Sequence, residues 1–158
     1  MYQLSRTKRC RLFEEIASAV WDHLIYNHRV GVQVREEGPT NDIIAQIRNN
    51  VLATPNIGLW ANNAHNEPWH GNDIDIFVET TNGNFIWWAL QAKVLKVDHT
   101  YEGIAALRGG EYQWDKLNRL ATNAGCIVRY LLYNGVRGYK INRNDSCNRS
   151  FDSSQFGC

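Results

Sequence analysis

The sequence predicts a single α/β domain in which helices cover both faces of a mixed β-sheet, giving three layers. Three observations predict this class. Residues 12–24 and 112–124 repeat apolar side chains at the spacing of an amphipathic helix. Between them, two strand-like segments are joined by Asn82-Gly83, which is typical of a tight hairpin turn because both residues tolerate positive φ. The apolar run 126–133 then has the length of a buried strand, and the helix before it supplies the crossover that a parallel strand needs.

The length and composition indicate one folding unit. The chain has 158 residues, of which 44% are hydrophobic, and this is enough for one domain with its own core. We assign the domain to residues 1–140 and treat 141–158 as a polar C-terminal segment that ends like an interrupted chain, so we expect a truncated protein. No apolar run approaches the roughly 20 residues of a membrane span, and no signal sequence follows the polar start. The four cysteines lack zinc spacing, so we expect reduced thiols in a soluble, cytoplasmic protein, with a Cys147–Cys158 bridge as the alternative.

The segments before the hairpin have local signals of their own. Residues 30–34 alternate valine with other side chains, as a short strand does. Gly38-Pro39 ends this strand, and Thr40 or Asn41 can cap a second helix. The buried face of that helix is apolar and consists of Ile43, Ile44, Ile47 and Val51. A short apolar run within 55–64 predicts the first strand of the sheet.

The hairpin carries the polar residues that suggest a function. In residues 73–76, aspartate alternates with isoleucine, so a strand places Asp73 and Asp75 on one face and both isoleucines on the other. The returning strand ends with Gln91 and Lys93, which share a face beside those aspartates. Hairpin pairing places Asp75 nearer than Asp73 to Gln91. Two carboxylates, an amide oxygen and an ammonium group therefore converge near one end of the hairpin.

This combination suits metal-assisted hydrolysis. Mg²⁺ prefers oxygen ligands from one or two carboxylates and completes its coordination with water and substrate phosphate. Asp73, Asp75 and the Gln91 carbonyl would be its ligands. Lys93 would hold the attacking water and offset the charge that builds on the phosphate. The alternative is that the aspartates are solvated edge charges and that Lys93 only ends a core strand.

These residues also resemble a known family. Gly71-Asn72-Asp73 followed by Gln91-Ala92-Lys93 resembles the PD-(D/E)xK nuclease superfamily, in the variant in which glutamine replaces the second acid, as in Mrr-like restriction enzymes. It is more narrowly similar to a bacterial branch of that superfamily, and the resemblance covers residues 35–134. It implies a three-layer restriction-endonuclease-like core with the order αβββαβ and a mixed central sheet. It also implies that Asp73 is the metal-binding aspartate, and the departure at Gln91 removes one charge from the metal site.

The resemblance implies further acidic residues at the site. In the similar branch, a Glu-Glu-x-x-Thr stretch supplies an acid to the active site, and this role falls on Glu36 or Glu37. Another acid precedes the Gly-x-Asp strand there, and Glu67 occupies that position and could reach the metal. The alternative for Glu36 and Glu37 is that both are solvated loop acids.

The helix after the lysine strand supplies candidate substrate contacts. Tyr112 and Gln113 lie where related nucleases place polar residues that contact DNA near the cleaved phosphate, although a core-edge tyrosine and a surface glutamine would fit the same pattern. Lys116 and Arg119 lie on nearby helical turns and are candidates for phosphate contacts.

The charge distribution is compatible with a nucleic-acid partner. Residues 1–35 carry a net charge of +3, residues 36–114 of −6 and residues 115–158 of +4, although such blocks also arise in ordinary surfaces. We therefore expect a Mg²⁺- or Mn²⁺-dependent endonuclease, a phosphodiester hydrolase of the restriction or defence type that acts on DNA and could be a homodimer. Two alternatives remain: a catalytically inactive nucleic-acid-binding module of the same fold, or a nuclease toxin that acts on DNA or RNA.

Overall fold

The computed structural model describes residues 2–96, 100–101, 103–104 and 107–135. Within these residues the helices are α1 (Tyr2–Arg29), α2 (Glu37–Ala53), α3 (Glu67–His70) and α4 (Gln113–Ala124). The strands are β1 (Leu59–Asn63), β2 (Ile74–Glu79), β3 (Phe85–Val94), β4 (Leu107–Arg108), β5 (Glu111–Tyr112) and β6 (Ile127–Tyr133). The predicted domain boundary at residue 140 and the polar segment 141–158 lie outside the described residues.

Four of the strands form one mixed sheet in the order β1-β2-β3-β6. β1 and β3 both pair antiparallel with β2, and β6 pairs parallel with β3. α4 lies between β3 and β6 in the sequence, so it makes the crossover that a parallel pair requires. The predicted α/β class with a mixed sheet is confirmed. Once the short α3 and the β4–β5 ribbon are set aside, the order is ααβββαβ, so the predicted order αβββαβ runs from α2 to β6 and α1 precedes it.

Apolar cores on the two faces of the sheet produce the three layers. On one face, α1 and α2 pack on alternate sheet residues such as Ile74, Ile76 and Ala92. On the other face, Leu117 of α4 packs near Ala89. The alternation predicted for residues 73–76 is confirmed at both isoleucines, which are at most 5% exposed. The polar members of the same strands consequently face the α4 side or the end of the sheet.

The predicted strand at 30–34 is wrong. α1 continues to Arg29 and ends in a Schellman motif, in which Gly31 has a φ of 75° and Val32 donates its N–H to the Asn27 carbonyl at 2.9 Å. Val30 and Val32 are at least half exposed, and neither pairs with the sheet. The backbone donors of this segment are therefore used to cap the helix.

The start of α2 also differs from the prediction. We expected Gly38-Pro39 to precede the helix and Thr40 or Asn41 to cap it, but α2 begins at Glu37 and Glu36 is its N-cap. The first helical turn tolerates proline because its N–H groups have no partners within the helix. This earlier start sets the position of Glu36 relative to the sheet.

The predicted turn at Asn82-Gly83 forms as part of a three-residue loop. Thr80 donates its N–H to the Asn84 carbonyl at 2.7 Å, and Gly83, with a φ of 75°, donates to the Thr80 carbonyl at 3.2 Å. A turn followed by a left-handed glycine is a common three-residue hairpin connection. Loop length matters here because a shift of one residue would turn every side chain of β2 to the other face.

The cysteine prediction holds only in part. Cys126 is a buried free thiol, as expected, whereas Cys10 is disulfide-bonded. The expectation of reduced thiols is therefore wrong at Cys10, because sequence spacing does not reveal which cysteines a fold brings together. Among the described residues, no helix has both the length and the apolar character needed to cross a membrane.

Candidate active site

The predicted site residues come from different elements that meet at one end of the sheet. Asp73 directly precedes β2, and its N–H bonds to the Leu90 carbonyl at 2.8 Å, which continues the hairpin pairing toward Gln91. Gln91 and Lys93 are two residues apart in β3 and share a face. Glu36 reaches this point from the N-cap of α2. The site therefore depends on contact between the start of α2 and the end of β3.

Asp73 is held through one carboxylate oxygen. Its Oδ2 accepts hydrogen bonds from the Gln91 amide nitrogen at 2.5 Å and from the Ala92 N–H at 2.7 Å. No described residue donates a hydrogen bond to Oδ1. Burial raises the pKa of Asp73 to about 6, the Ala92 N–H opposes this, and the charge of Glu67 adds to it. Asp73 is therefore mostly ionised at neutral pH and keeps one oxygen available.

Lys93 is a buried ammonium group with a carboxylate partner. Its side chain is 2% exposed, and Nζ lies 3.3 and 3.4 Å from the two carboxylate oxygens of Glu36, which is 34% exposed. Burial dominates the pKa of Asp73, the charge of Lys93 acts to lower it and the charge of Glu36 acts to raise it, so both groups interact electrostatically with that carboxylate. The structure thus brings Asp73, Lys93 and Glu36 together.

Gln91 faces Asp73 with its amide nitrogen. That nitrogen also donates to the Ala92 carbonyl at 3.1 Å, while the Gln91 Oε1 accepts from the amide nitrogen of Gln113. The predicted metal ligand, the Gln91 oxygen, thus faces α4 and not Asp73. This orientation has a simple cause: a partly buried carboxylate is stabilised by N–H donors and would be repelled by a carbonyl oxygen.

Gln113 is buried behind Gln91 and does not have the exposed position expected of a DNA contact. It is 5% exposed, and its amide nitrogen also donates to the Gly71 carbonyl at 3.3 Å. Its Oε1 has no hydrogen-bond partner among the described residues. Gln113 is consequently a neighbour of Gln91 with almost no exposed surface, and its predicted contact with a substrate stays a prediction.

Asp75 has a separate environment. Its Oδ1 accepts hydrogen bonds from the Asn72 amide nitrogen and the Trp87 indole nitrogen, both at 2.7 Å. Burial raises its pKa, and these two donors oppose the change. Asp75 pairs with Ala89 in the hairpin, so the expectation that it lies nearer to Gln91 than Asp73 does is wrong. The three-residue loop sets this register, and it leaves Asp73 as the carboxylate beside Gln91.

A cavity of about 570 Å³ opens beside Lys93 and Glu36. Polar and charged side chains dominate its wall, which consists of Gln33, Val34, Arg35, Glu36, Glu37, Lys93, Val94 and Lys96. Glu37 is exposed on this wall and no described interaction ties it to Lys93, so the structure distinguishes the two glutamates that the sequence left equivalent.

The basic residues predicted to contact phosphate donate to protein acceptors. Lys116 Nζ donates to the Pro68 carbonyl at 2.9 Å, and Arg119 donates to the Trp69 carbonyl at 3.0 Å and pairs with the Glu111 carboxylate. These contacts attach α3 to α4. They also hold the segment that begins with Glu67, whose charge influences Asp73. Tyr112 is 45% exposed at the N-cap of α4, where it could contact a substrate.

A family model matches residues 9–158, a range that includes every candidate residue described above. The chain belongs to DUF6615, a family of unknown function. A comparison with curated proteins finds no match. The geometry of the site is therefore the basis for assigning a reaction to this DUF6615 chain.

One site residue of this DUF6615 chain, Tyr133, carries no clear sequence signal. Tyr133 is 4% exposed, and its hydroxyl lies 3.1 Å from the Thr40 hydroxyl. Burial raises its pKa to about 12, the Thr40 hydrogen bond opposes this, and the charges of Asp73 and Glu36 add to it, which places the phenol near both carboxylates. In the sequence Tyr133 only ends an apolar strand. Asn72, which is 1% exposed, lies within Gly-x-Asp and could have been noticed there.

The donor set fits a hard divalent cation that also binds water and substrate. Within the part of the chain that the structure describes, no group of three or more His, Cys, Asp or Glu residues could hold a metal ion alone. Mg²⁺ needs only one or two carboxylates from the protein, and Asp73 and Glu36 meet this requirement. Two oxygens at the site lack a hydrogen-bond partner among the described residues: Asp73 Oδ1 and Gln113 Oε1. Each is therefore available for a further polar contact.

Proposed function

We propose that this protein is a metal-dependent nuclease that hydrolyses phosphodiester bonds, with DNA as the substrate. One observation carries the proposal: Asp73, with a carboxylate oxygen available, interacts electrostatically with Lys93 and Glu36, and these two residues form an ion pair that lines a polar cavity. The choice of DNA rests on the resemblance to PD-(D/E)xK nucleases. A cytoplasmic location belongs to the same proposal.

The burial of Lys93 supports a functional role for its charge. Removing an ammonium group from water costs several kcal/mol unless its partners compensate fully. Among the residues that the structure describes, the only ion-pair partner of Lys93 is Glu36, at 3.3 Å and itself one third exposed. An apolar side chain of similar volume at this position of β3 would avoid this cost. A buried lysine at the wall of a polar cavity is therefore better explained by chemistry than by stability.

Asp73 and Glu36 would hold Mg²⁺ or Mn²⁺ at this site. When bound, such an ion polarises a phosphoryl oxygen and lowers the pKa of a bound water, which supplies a nucleophile at neutral pH. Asp73 suits this role because its pKa of about 6 leaves it ionised at pH 7. The hydrogen bond from the Ala92 N–H to Oδ2 fixes the carboxylate while Oδ1 remains available.

Lys93 would act directly on the substrate. Its ammonium group can donate hydrogen bonds to a phosphate oxygen or to the attacking water, and it opposes the negative charge that builds in the transition state. Glu36 would orient that ammonium through the 3.3 Å contact. Arg35 on the cavity wall adds positive charge for a phosphodiester backbone.

The test is cleavage of supercoiled plasmid DNA with Mg²⁺, with Mn²⁺ and with EDTA. We expect nicking or linearisation with either ion, no cleavage with EDTA, and loss of cleavage in Asp73→Asn and in Lys93→Met. Asp42→Asn is the matched control because Asp42 is exposed on α2. Wild-type protein that leaves DNA and a parallel RNA substrate intact with both ions would contradict the proposal.

A nucleic-acid-binding module without hydrolysis is the second candidate. It is favoured by the orientation of Gln91, which presents a donor and not a ligand oxygen to Asp73. A gel-shift assay with the same DNA separates the two candidates. The binding module predicts a shift for wild type and Lys93→Met alike, with no cleavage by either protein at any cation concentration.

A further inference from the structure

We infer that Gln113 is a positioning residue that controls which atom of Gln91 faces Asp73, and that the two amides rotate together when a divalent cation binds. The inference rests on the proposed function, because the cation is the one that Asp73 would hold. It goes beyond that function by assigning a role to a buried side chain of α4 that touches neither the substrate nor the cation.

The contacts of the two amides show why they are coupled. Gln91 Oε1 accepts from Gln113 Nε2, so the pair presents one acceptor and one donor to each other. Rotating the Gln91 amide alone would place its nitrogen against the Gln113 nitrogen, leaving two donors face to face. Both side chains are at most 5% exposed, so water cannot relieve that contact. Rotation of one amide therefore requires rotation of the other.

The unpartnered oxygen of Gln113 shows that a second arrangement is available. Gln113 Oε1 is buried without a hydrogen bond among the described residues. After a paired rotation, this oxygen would accept from the Gln91 nitrogen, and the Gln91 oxygen would turn toward Asp73. Two protein oxygens would then face the same point, which is the ligand arrangement that a hard cation prefers.

Hydrogen bonds of both amides hold the present arrangement. The Gln91 nitrogen bonds both the Asp73 carboxylate and the Ala92 carbonyl, and the Gln113 nitrogen bonds the Gly71 carbonyl. These bonds would be lost on rotation, so only a favourable new interaction of the Gln91 oxygen can drive it. A divalent cation at Asp73 supplies that interaction, because it reverses the preference for a donor at this point.

The first test is a Mg²⁺ titration of the full chain without nucleic acid, followed by NMR of the assigned side-chain NH₂ groups. We expect the Gln91 and Gln113 signals to change together, with the same midpoint as the backbone amide of Asp73. A change at Asp73 without changes at the two amides would overturn this inference alone. No response of Asp73, Gln91 or Gln113 would overturn it together with the proposed function.

The second test uses Gln113→Glu, which replaces an amide by a group that, when ionised, can only accept. At about pH 8, where a carboxyl group is normally ionised, it should favour the rotated Gln91 and tighten Mn²⁺ binding. The added charge also attracts cations, so the same substitution is measured in a Gln91→Met background. We expect the tightening to be at least about threefold greater with Gln91 present. Equal tightening in both backgrounds would mean that charge alone acts, and the inference would be wrong.

Discussion

Replacing Asp73 with asparagine is expected to stabilise the cation-free protein while abolishing cleavage. Burial of the carboxylate raises its pKa from 3.8 to about 6, so the folded chain disfavours the charged form. Asparagine is nearly isosteric and neutral, and its carbonyl oxygen can still accept from Gln91 and Ala92, as Asp73 Oδ2 does. Its amide nitrogen would take the position of Oδ1, which has no hydrogen-bond donor among the described residues.

The size of this effect follows from the pKa. The difference between 3.8 and about 6 corresponds to roughly 3 kcal/mol of free energy that opposes folding when Asp73 is ionised. The carboxylate is only partly buried and keeps some hydration, so we expect a gain of about 2 kcal/mol in the free energy of unfolding.

The difference in the free energy of unfolding between Asp73→Asn and wild type depends on pH. Above pH 6 the carboxylate is ionised in both the folded and the unfolded chain, and the full penalty is present. As the pH falls from about 6 to 3.8, the folded chain binds the proton first, so wild-type stability rises relative to Asp73→Asn. Below 3.8 both forms are protonated and the advantage of asparagine disappears.

Urea unfolding in EDTA, at a series of pH values from about 8 down to about 4, measures this difference between the proteins. Asp42→Asn serves as the control and should change the free energy of unfolding by less than about 0.5 kcal/mol. The reasoning is refuted if Asp73→Asn is less stable than wild type near pH 8, or if its gain does not shrink as the pH falls.

Four further substitutions test other parts of the structure. Lys93→Met should abolish cation-dependent plasmid cleavage and leave the free energy of unfolding unchanged or up to about 2 kcal/mol higher, because it removes a buried charge; a variant that keeps cleaving contradicts its role. Gly58→Ala should cost about 3 kcal/mol in urea unfolding, because the added Cβ would lie 2.5 Å from a Glu79 carboxylate oxygen at a φ of 63°. Gly83→Ala, which has nothing within 4 Å of its Cβ, should cost only about 1 kcal/mol, and equal losses would contradict this steric account. Arg9→Met should lower the free energy of unfolding by about 3 kcal/mol, because Arg9 Nη1 donates to three backbone carbonyls, of Ile57, Gly58 and Glu79; a thermal midpoint equal to that of wild type would contradict it.

Much of the fold could be predicted because its signals are local. The period of two in residues 73–76 follows from backbone geometry, and the structure buries the two isoleucines as that period requires. The same holds for α4, whose apolar spacing and capping Gly125 mark its end. The parallel pairing of β6 with β3 was predictable because a helix lies between them.

The candidate site was only partly predictable because it depends on register and on distant contacts. The sequence placed Asp73, Asp75, Gln91 and Lys93 near one another, but it could not separate the two aspartates. The hairpin loop has three residues instead of the two expected from Asn82-Gly83. This extra residue sets the register that pairs Asp75 with Ala89 and leaves Asp73 beside Gln91. Whether Gln113 is exposed or buried depends on how α4 packs, and a residue's helical position alone does not settle this.

The sequence by itself determined the α/β class, the hairpin and the set of polar residues at its end, since backbone periodicity and turn chemistry act between near neighbours. Tertiary structure decided that Glu36 and not Glu37 meets Lys93, that Gln91 turns its nitrogen to Asp73, and that Tyr133 joins the site. These outcomes depend on burial and on contacts between residues up to about a hundred positions apart. Desolvation and hydrogen bonding in the assembled fold, and not local propensity, set them.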